Sequence, residues 1–176
     1  MAAAPPRRGQ PRFWGWHPLA PDAAERLVAS TPVRRGDVVV DLGAGDGALT
    51  VPLVRRGCRV LAVELHPQRA EELRRRFAGD RVAVIEMEVE HFSWPGHPFR
   101  VVANPPYAGI NALVRRLLAV RTLRSADLVV AEGTARGLVD RYGDRLSLGA
   151  PVPPRSFRHP PPNRARVLRI RPWRVD

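Results

Sequence analysis

Cysteine and lysine are the residues that this sequence lacks most clearly. Cys58 is the only cysteine among 176 residues, and all 29 residues in the combined count of lysine and arginine are arginines. A single cysteine cannot form an internal disulfide or a thiolate zinc cluster, so both are excluded for this chain. The five histidines show no i, i+4 or H-x-E spacing, and we therefore predict no metal site.

Long apolar runs are also missing. No stretch approaches the roughly 18 apolar residues that a membrane-spanning helix requires. Residues 1–8 contain arginine and proline but lack the apolar core of a secretory signal. These absences argue against a membrane protein, and we expect a cytoplasmic chain whose length fits one domain.

The charge of the chain is strongly positive. Its 29 arginines exceed its 17 acidic residues by 12, and the pI is near 11.6. A coding bias in a genome rich in G and C would favour arginine over lysine. Selection for polyanion binding would favour it too, because the guanidinium group binds phosphates bidentately and stacks on bases. We expect both causes to contribute, and the excess charge predicts a nucleic-acid partner.

The first 16 residues form a distinct segment, rich in arginine, proline and tryptophan and without hydrophobic periodicity. We interpret residues 1–16 as a basic arm that precedes a catalytic domain at 17–176. The arginines of the arm could contact phosphates, whereas its tryptophans could equally stack on bases or pack back on the domain. The candidate RNA-binding residues are Arg7, Arg8, Arg12, Trp14 and Trp16.

Short apolar strands alternate with helical segments along most of the remaining chain. The predicted strands cover residues 38–42, 59–64, 81–85, 100–103, 127–131 and 165–170. The predicted helices cover residues 21–29, 48–56, 67–77 and 110–120. This alternation predicts an α/β fold with a doubly wound, mostly parallel sheet.

A glycine-rich loop follows the first buried strand, where such folds bind ligands. Its G-x-G-x-G spacing differs from the G-x-G-x-x-G of dinucleotide-binding loops. Glu64, at the end of the second strand, can accept hydrogen bonds from both ribose hydroxyls. Asp41 and Asp46 would repel a pyrophosphate but attract the sulfonium and amine of S-adenosylmethionine, which we therefore predict as the cofactor. The predicted cofactor-binding residues of this loop are Asp41, Gly43, Ala44, Gly45 and Gly47.

A second loop, Asn104-Pro105-Pro106-Tyr107, follows the fourth strand at the same edge of the sheet. An exocyclic amine conjugated to an aromatic ring is a poor nucleophile. The side-chain oxygen of Asn104 and the carbonyl of Pro105 can draw the amine lone pair out of conjugation, since proline has no N–H to compete. Tyr107 offers a flat face for a flipped base. We predict that these residues are catalytic.

These motifs resemble those of the Erm group of 23S rRNA adenine N6-methyltransferases, which are kin to the 16S rRNA dimethyladenosine transferases. The resemblance is carried by residues 41–50, Glu64, residues 104–107, 126–130, 156–162 and 166–171. It implies a Rossmann-like class I methyltransferase fold with a seven-stranded sheet and a C-terminal antiparallel hairpin. It also implies a monomer that methylates 23S rRNA before full ribosome assembly and confers resistance to macrolides, lincosamides and streptogramins.

The resemblance extends the set of expected cofactor contacts and also has departures. Leu65 and Asn104 join the cofactor site, and Glu88 matches an aspartate of the family that holds the cofactor adenine. Where the family has a Gln-Asn-Phe-Leu motif, this sequence has residues 16–19, Trp-His-Pro-Leu. The family's helical C-terminal domain would follow the last strand, whereas this chain stops at residue 176, so we expect the basic arm to help hold the RNA.

Two other functional classes remain open from the residues alone. DNA adenine and protein glutamine methyltransferases also use an Asn-Pro-Pro-Tyr loop. A non-catalytic rRNA-binding or assembly factor could retain the same fold. An intact loop at 104–107 favours the enzyme.

Overall fold

The computed structural model describes residues 17–106 and 108–171 of the chain. The helices are α1 (Pro21–Ala29), α2 (Thr50–Arg55), α3 (Pro67–Arg76), α4 (Ile110–Ala119) and α5 (Glu132–Tyr142). The strands are β1 (Val38–Leu42), β2 (Arg59–Glu64), β3 (Val82–Glu86), β4 (Phe99–Ala103), β5 (Leu123–Ala131), β6 (Leu146–Val152) and β7 (Ala165–Ile170). Short 3₁₀ turns occupy Val89–His91, Gly143–Arg145 and Pro154–Ser156.

These strands form one seven-stranded sheet in the order β3-β2-β1-β4-β5-β7-β6. Strands β1 to β5 are parallel, and β7 runs antiparallel to both β5 and β6. The predicted fold class is therefore confirmed, including the antiparallel hairpin at the C-terminal end. Because β1 and β4 are adjacent and parallel, the loops that follow them emerge at the same edge of the sheet.

Two hydrophobic clusters cover the two faces of the sheet. Helices α1, α2 and α3 pack on one face, where Leu27, Leu53 and Leu73 contact the valines of β1 and β2. Helices α4 and α5 pack on the other face, where Leu117 and Leu138 are buried. Strand β1 is buried on both sides, as its continuous apolar sequence indicates.

Three features differ from the sequence prediction. Strand β5 begins at Leu123, four residues before the predicted start, because it pairs with β4 from there. Helix α5 was not predicted, since two of its residues are glycines and only Ala135 and Leu138 are buried. Strand β6 was also missed. It is an edge strand with a proline and a register shift, and it pairs only with β7.

The hairpin is consequently placed differently from the expectation based on family motifs. Its first strand is Leu146–Val152, whereas residues 156–162 form the connection to β7. Among the described residues, no helix is long and apolar enough to cross a membrane.

Candidate active site

The glycine loop turns back on β2 directly after β1. The backbone N–H groups of Gly43 and Ala44 both donate to the carbonyl of Val63, at 2.8 and 3.0 Å. Gly43 has a φ of +71°, and a Cβ at this position would lie 3.2 Å from Cδ of Pro106 in the second loop. Glycine is therefore required both by the backbone conformation and by the close approach of the two loops.

Glycine is required at position 47 for a different structural reason. Its φ is +86°, and a Cβ there would lie 3.0 Å from the side chains of Leu73 and Phe77. The close packing of the loop on α3 thus accounts for this glycine, which does not line the cleft described below.

Glu64 is buried at the end of β2 and is linked to the glycine loop. One carboxylate oxygen accepts a hydrogen bond from the N–H of Gly45 at 2.8 Å, and the other accepts from the N–H of His66 at 2.9 Å. Arg69 lies 3.5 Å from the same carboxylate. These contacts fix the carboxylate beside the loop, where it fits the predicted role of binding ribose hydroxyls.

Asp41 is fully buried behind the loop. Its carboxylate accepts a hydrogen bond from the hydroxyl of Thr50 at 2.8 Å. Burial, together with the negative charges of Glu64 and Asp46, raises the pKa of Asp41 to about 7. A cation bound nearby would favour the ionised carboxylate, and this fits a positively charged ligand.

The second loop brings Asn104 to the same place. The Asn104 amide nitrogen donates to the backbone carbonyl of His17 at 2.8 Å. This bond fixes the orientation of the amide and leaves its oxygen to act as an acceptor. Pro105 is buried, and Tyr107 lies outside the described residues.

A narrow cleft joins the two loops. Its lining residues are Pro18, Leu19, Asp41, Gly43, Ala44, Asp46, Ala48, Leu49 and Asn104. Four of the predicted site residues thus surround one space, as expected for loops at one edge of a parallel sheet. Pro18 and Leu19 were not predicted as site residues, because residues 16–19 differ from the Gln-Asn-Phe-Leu motif that the family has at this position.

A strap formed by residues 17–20 covers this cleft. Residues 156–159 hold the strap in place through backbone bonds: Ala20 donates to Ser156, and Arg158 donates to Pro18, at 2.8 and 2.9 Å. The Nδ1 of His17 donates to the carbonyl of His159 at 3.0 Å. The same connection reaches the glycine loop, because Arg158 forms an ion pair with Asp46.

Five predicted cofactor contacts do not line the cleft, namely Gly45, Gly47, Glu64, Leu65 and Glu88. Leu65 follows Glu64 and is 41% exposed, which makes it the one exposed large hydrophobic residue in the described part of the chain. Glu88 is exposed after β3, with a carboxylate oxygen 3.6 Å from Nδ1 of His91. The cofactor roles of Leu65 and Glu88 stay predictions.

Other predicted site residues are not tested by the structure. The candidate RNA-binding residues of the arm lie outside the described residues. No cluster of His, Cys, Asp or Glu in residues 17–106 and 108–171 is arranged to hold a metal ion.

Comparison with known proteins places this architecture in one family. Residues 20–152 match the family model for ribosomal RNA adenine dimethylases. The mycinamicin-resistance protein MyrB of Micromonospora griseorubida is 39% identical over 98 residues, which cover 56% of this chain and 31% of that protein. The ribosomal RNA small subunit methyltransferase A of Cupriavidus taiwanensis is 30% identical over 167 residues, which cover 84% of this chain and 60% of that protein.

Among solved structures, the 23S rRNA methyltransferase ErmE superposes with a TM-score of 0.79 and 25% identity. The match covers 88% of this chain and 68% of that one. The chain spans less than two thirds of the length of MyrB and of the Cupriavidus taiwanensis enzyme. The family model, the sheet order and the two loops together show that the chain belongs to the ribosomal RNA adenine dimethylase family, whose cofactor is S-adenosylmethionine.

Proposed function

We propose that this chain transfers a methyl group from S-adenosylmethionine to N6 of an adenine in 23S rRNA, and thereby confers resistance to macrolides, lincosamides and streptogramins. The observation that supports this most is the orientation of Asn104. Its amide nitrogen is engaged by the carbonyl of His17, so its oxygen is the atom available to an incoming amine beside the cofactor cleft.

The chemistry requires a target amine with its lone pair directed at the methyl group. Asn104 and the carbonyl of Pro105 accept hydrogen bonds from the two N–H groups of the amine, which reduces conjugation of the lone pair with the ring. When bound, S-adenosylmethionine supplies an electrophilic methyl on a sulfonium. Asn104 and Pro105 would hold the amine in line with that methyl group, and the methylated amine would lose its proton to solvent, so alignment dominates the rate.

The residues around the cleft fit this cofactor. Gly43 allows the methionine part to approach the backbone, and Asp41 and Asp46 complement its positive charges. Glu64 would exchange its backbone hydrogen bonds for ribose hydroxyls, while Leu65 and Glu88 would contact the adenine. Tyr107 would stack on the target base.

The choice of 23S rRNA is supported by two similar proteins, a mycinamicin-resistance protein and a 23S rRNA methyltransferase. A second candidate substrate is small-subunit rRNA, because several relatives at 30 to 33% identity are small subunit methyltransferases. For either RNA, we propose a cytoplasmic monomer that acts on rRNA before full ribosome assembly.

A competition experiment tests the substrate. The protein is incubated with labelled S-adenosylmethionine and protein-free 23S rRNA, and unlabelled 16S rRNA, adenine-containing duplex DNA or a release factor is added in turn. We expect none of these three competitors to reduce the labelling of 23S rRNA strongly. Competition by 16S rRNA would indicate that the substrate is small-subunit rRNA. Competition by DNA or the release factor would contradict the proposal that the substrate is rRNA. RNA binding without any methyl transfer would support an assembly factor instead.

A further inference from the structure

A second cleft lies at the opposite edge of the sheet from the candidate active site. It has a volume of about 750 Å³ and is formed by the amino ends of β4 and β5 and the carboxyl end of β7. We refer to it as the amino-end cleft. Its charged lining residues are Arg100, Arg124, Asp127, Arg169 and Arg171. Four cations and one carboxylate thus share one open site.

Two of these arginines are held in position by neighbouring groups. Arg100 lies 2.7 Å from the carboxylate of Asp37 and donates to the hydroxyl of Ser125 at 2.9 Å. The Nε of Arg169 lies 3.3 Å from Oδ1 of Asp127. Guanidinium groups fixed in this way lose less conformational entropy when an anion binds.

A bulge in β5 directs a third arginine to the cleft. Phe99 of β4 pairs with Leu123, but the next residue, Arg100, pairs with Ser125. Arg124 is therefore the extra residue of the bulge, and it lines the cleft. Bulges commonly redirect a side chain in this manner next to binding sites.

The rim of the cleft carries unneutralised charge. Arg124 and Arg171 are exposed, and neither forms an ion pair with any residue in the described part of the chain. Asp127 is only 2% exposed, and its Oδ1 is paired with Arg169. The cleft therefore offers cationic groups, of which Arg124 and Arg171 are the exposed ones, for binding an anion.

We infer that the amino-end cleft binds the sugar–phosphate backbone of the RNA substrate, with phosphates on the arginines. RNA carries a phosphate at every nucleotide linkage, so several arginines in one cleft can be engaged by one strand. Arg100 and Asn104 lie four residues apart on and just beyond β4, or about 13 Å at the rise of a strand. One folded RNA can thus contact this cleft while its target base occupies the active site.

This inference rests on the proposed RNA substrate, but binding can be measured without methylation. The test uses the double variant Arg124→Gln/Arg171→Gln. Its affinity for protein-free 23S rRNA is measured at salt concentrations between about 50 and 200 mM, because the salt dependence reports the counterions released by phosphate contacts. We expect the slope of log K against log salt to fall by about 1 to 2, because each lost phosphate contact removes about 0.7 to 0.9. The KM for rRNA should rise about tenfold, with kcat and cofactor affinity unchanged.

The matched control is Arg75→Gln/Arg115→Gln, which removes the same charge from exposed positions on α3 and α4. Arg124→Lys/Arg171→Lys keeps the charge and should retain most of the affinity. Equal effects of the two glutamine pairs, or no effect of the cleft pair, would overturn the inference. If the wild type binds rRNA through the cleft but never methylates it, the proposed function fails while this site stands.

Discussion

At the scale of single residues, Asp41 is a residue of the candidate site that lowers the folding stability of the protein at neutral pH. Its carboxylate is fully buried near two other acidic groups, and its pKa is raised to about 7. A carboxyl whose pKa is higher in the folded state stabilises the fold at low pH. That contribution is lost as the pH rises from about 4 to about 7, so the ionised form is a cost at neutral pH. The positively charged cofactor would offset this cost on binding.

The variant Asp41→Asn should therefore be more stable than the wild type at pH 8. We expect a gain of about 2 to 4 kcal/mol in the free energy of unfolding, which shrinks as the pH falls toward 4. Thr50 can still donate to the new side-chain oxygen, since Asn keeps an acceptor. Urea denaturation at pH 5 and pH 8 measures the difference.

The control for this prediction is Asp140→Asn, a change at an exposed position on α5 that should alter stability by less than about 0.5 kcal/mol. Cofactor affinity, measured by calorimetry, should fall in Asp41→Asn because a carboxylate facing the cleft is lost. Equal stability of wild type and Asp41→Asn at pH 8 would refute the buried-charge interpretation.

At the scale of elements, the strap at residues 17–20 links Asn104 of the second loop to the connection at residues 156–159. It contributes the carbonyl that orients Asn104, and it is itself held by residues 156–159. Phe157 anchors the strap. It is only 5% exposed, and it forms an antiparallel β-bridge with Leu19 of the strap. Loss of this anchor should disturb the catalytic amide as well as the core.

We therefore predict that Phe157→Ala lowers stability by about 3 kcal/mol and reduces kcat by about tenfold to a hundredfold. Phe99→Ala is the matched control, because Phe99 is 1% exposed at the start of β4, far from Asn104. It should lose similar stability and keep its kcat when both variants are assayed well below their unfolding transitions. A Phe157→Ala enzyme with a normal kcat would show that the strap does not position Asn104.

The sequence predicted the elements whose signals are local. Strand β1 is a continuous apolar run, and helices α1 and α3 both begin with proline, so their positions could be predicted closely. Both loops were predicted to share one edge because each follows a strand of a parallel sheet at its carboxyl end. Strand β6 could not be predicted, since its glycine and proline mask the pattern and only pairing with β7 makes it a strand.

Contacts between distant segments could not be predicted either, because they depend on how the whole chain folds. The hydrogen bond between His17 and Asn104 joins residues 87 positions apart, and no local pattern encodes it. The amino-end cleft depends on the register of β4, β5 and β7, and in particular on the bulge at Arg124. Sequence alone indicated only that many arginines were available.

At the scale of the whole molecule, the arginines described at the two edges of the sheet differ in whether a carboxylate neutralises them. At the carboxyl edge, Arg158 is paired with Asp46 and Arg69 lies beside Glu64. At the amino edge, Arg124 and Arg171 have no ion-pair partner among residues 17–106 and 108–171. In our account, the first group organises the catalytic end and the second holds RNA at a distance from the reaction.

The most direct test of the central claim is the identity of the methylated nucleoside. Protein-free 23S rRNA is labelled with the enzyme and methyl-labelled S-adenosylmethionine, digested to nucleosides and analysed by mass spectrometry. Asn104→Ala serves as the control, and it should still bind the cofactor but transfer no methyl group. We predict that the label appears only in N6-methylated adenosine. Label in any other nucleoside, or undiminished transfer by Asn104→Ala, would contradict it.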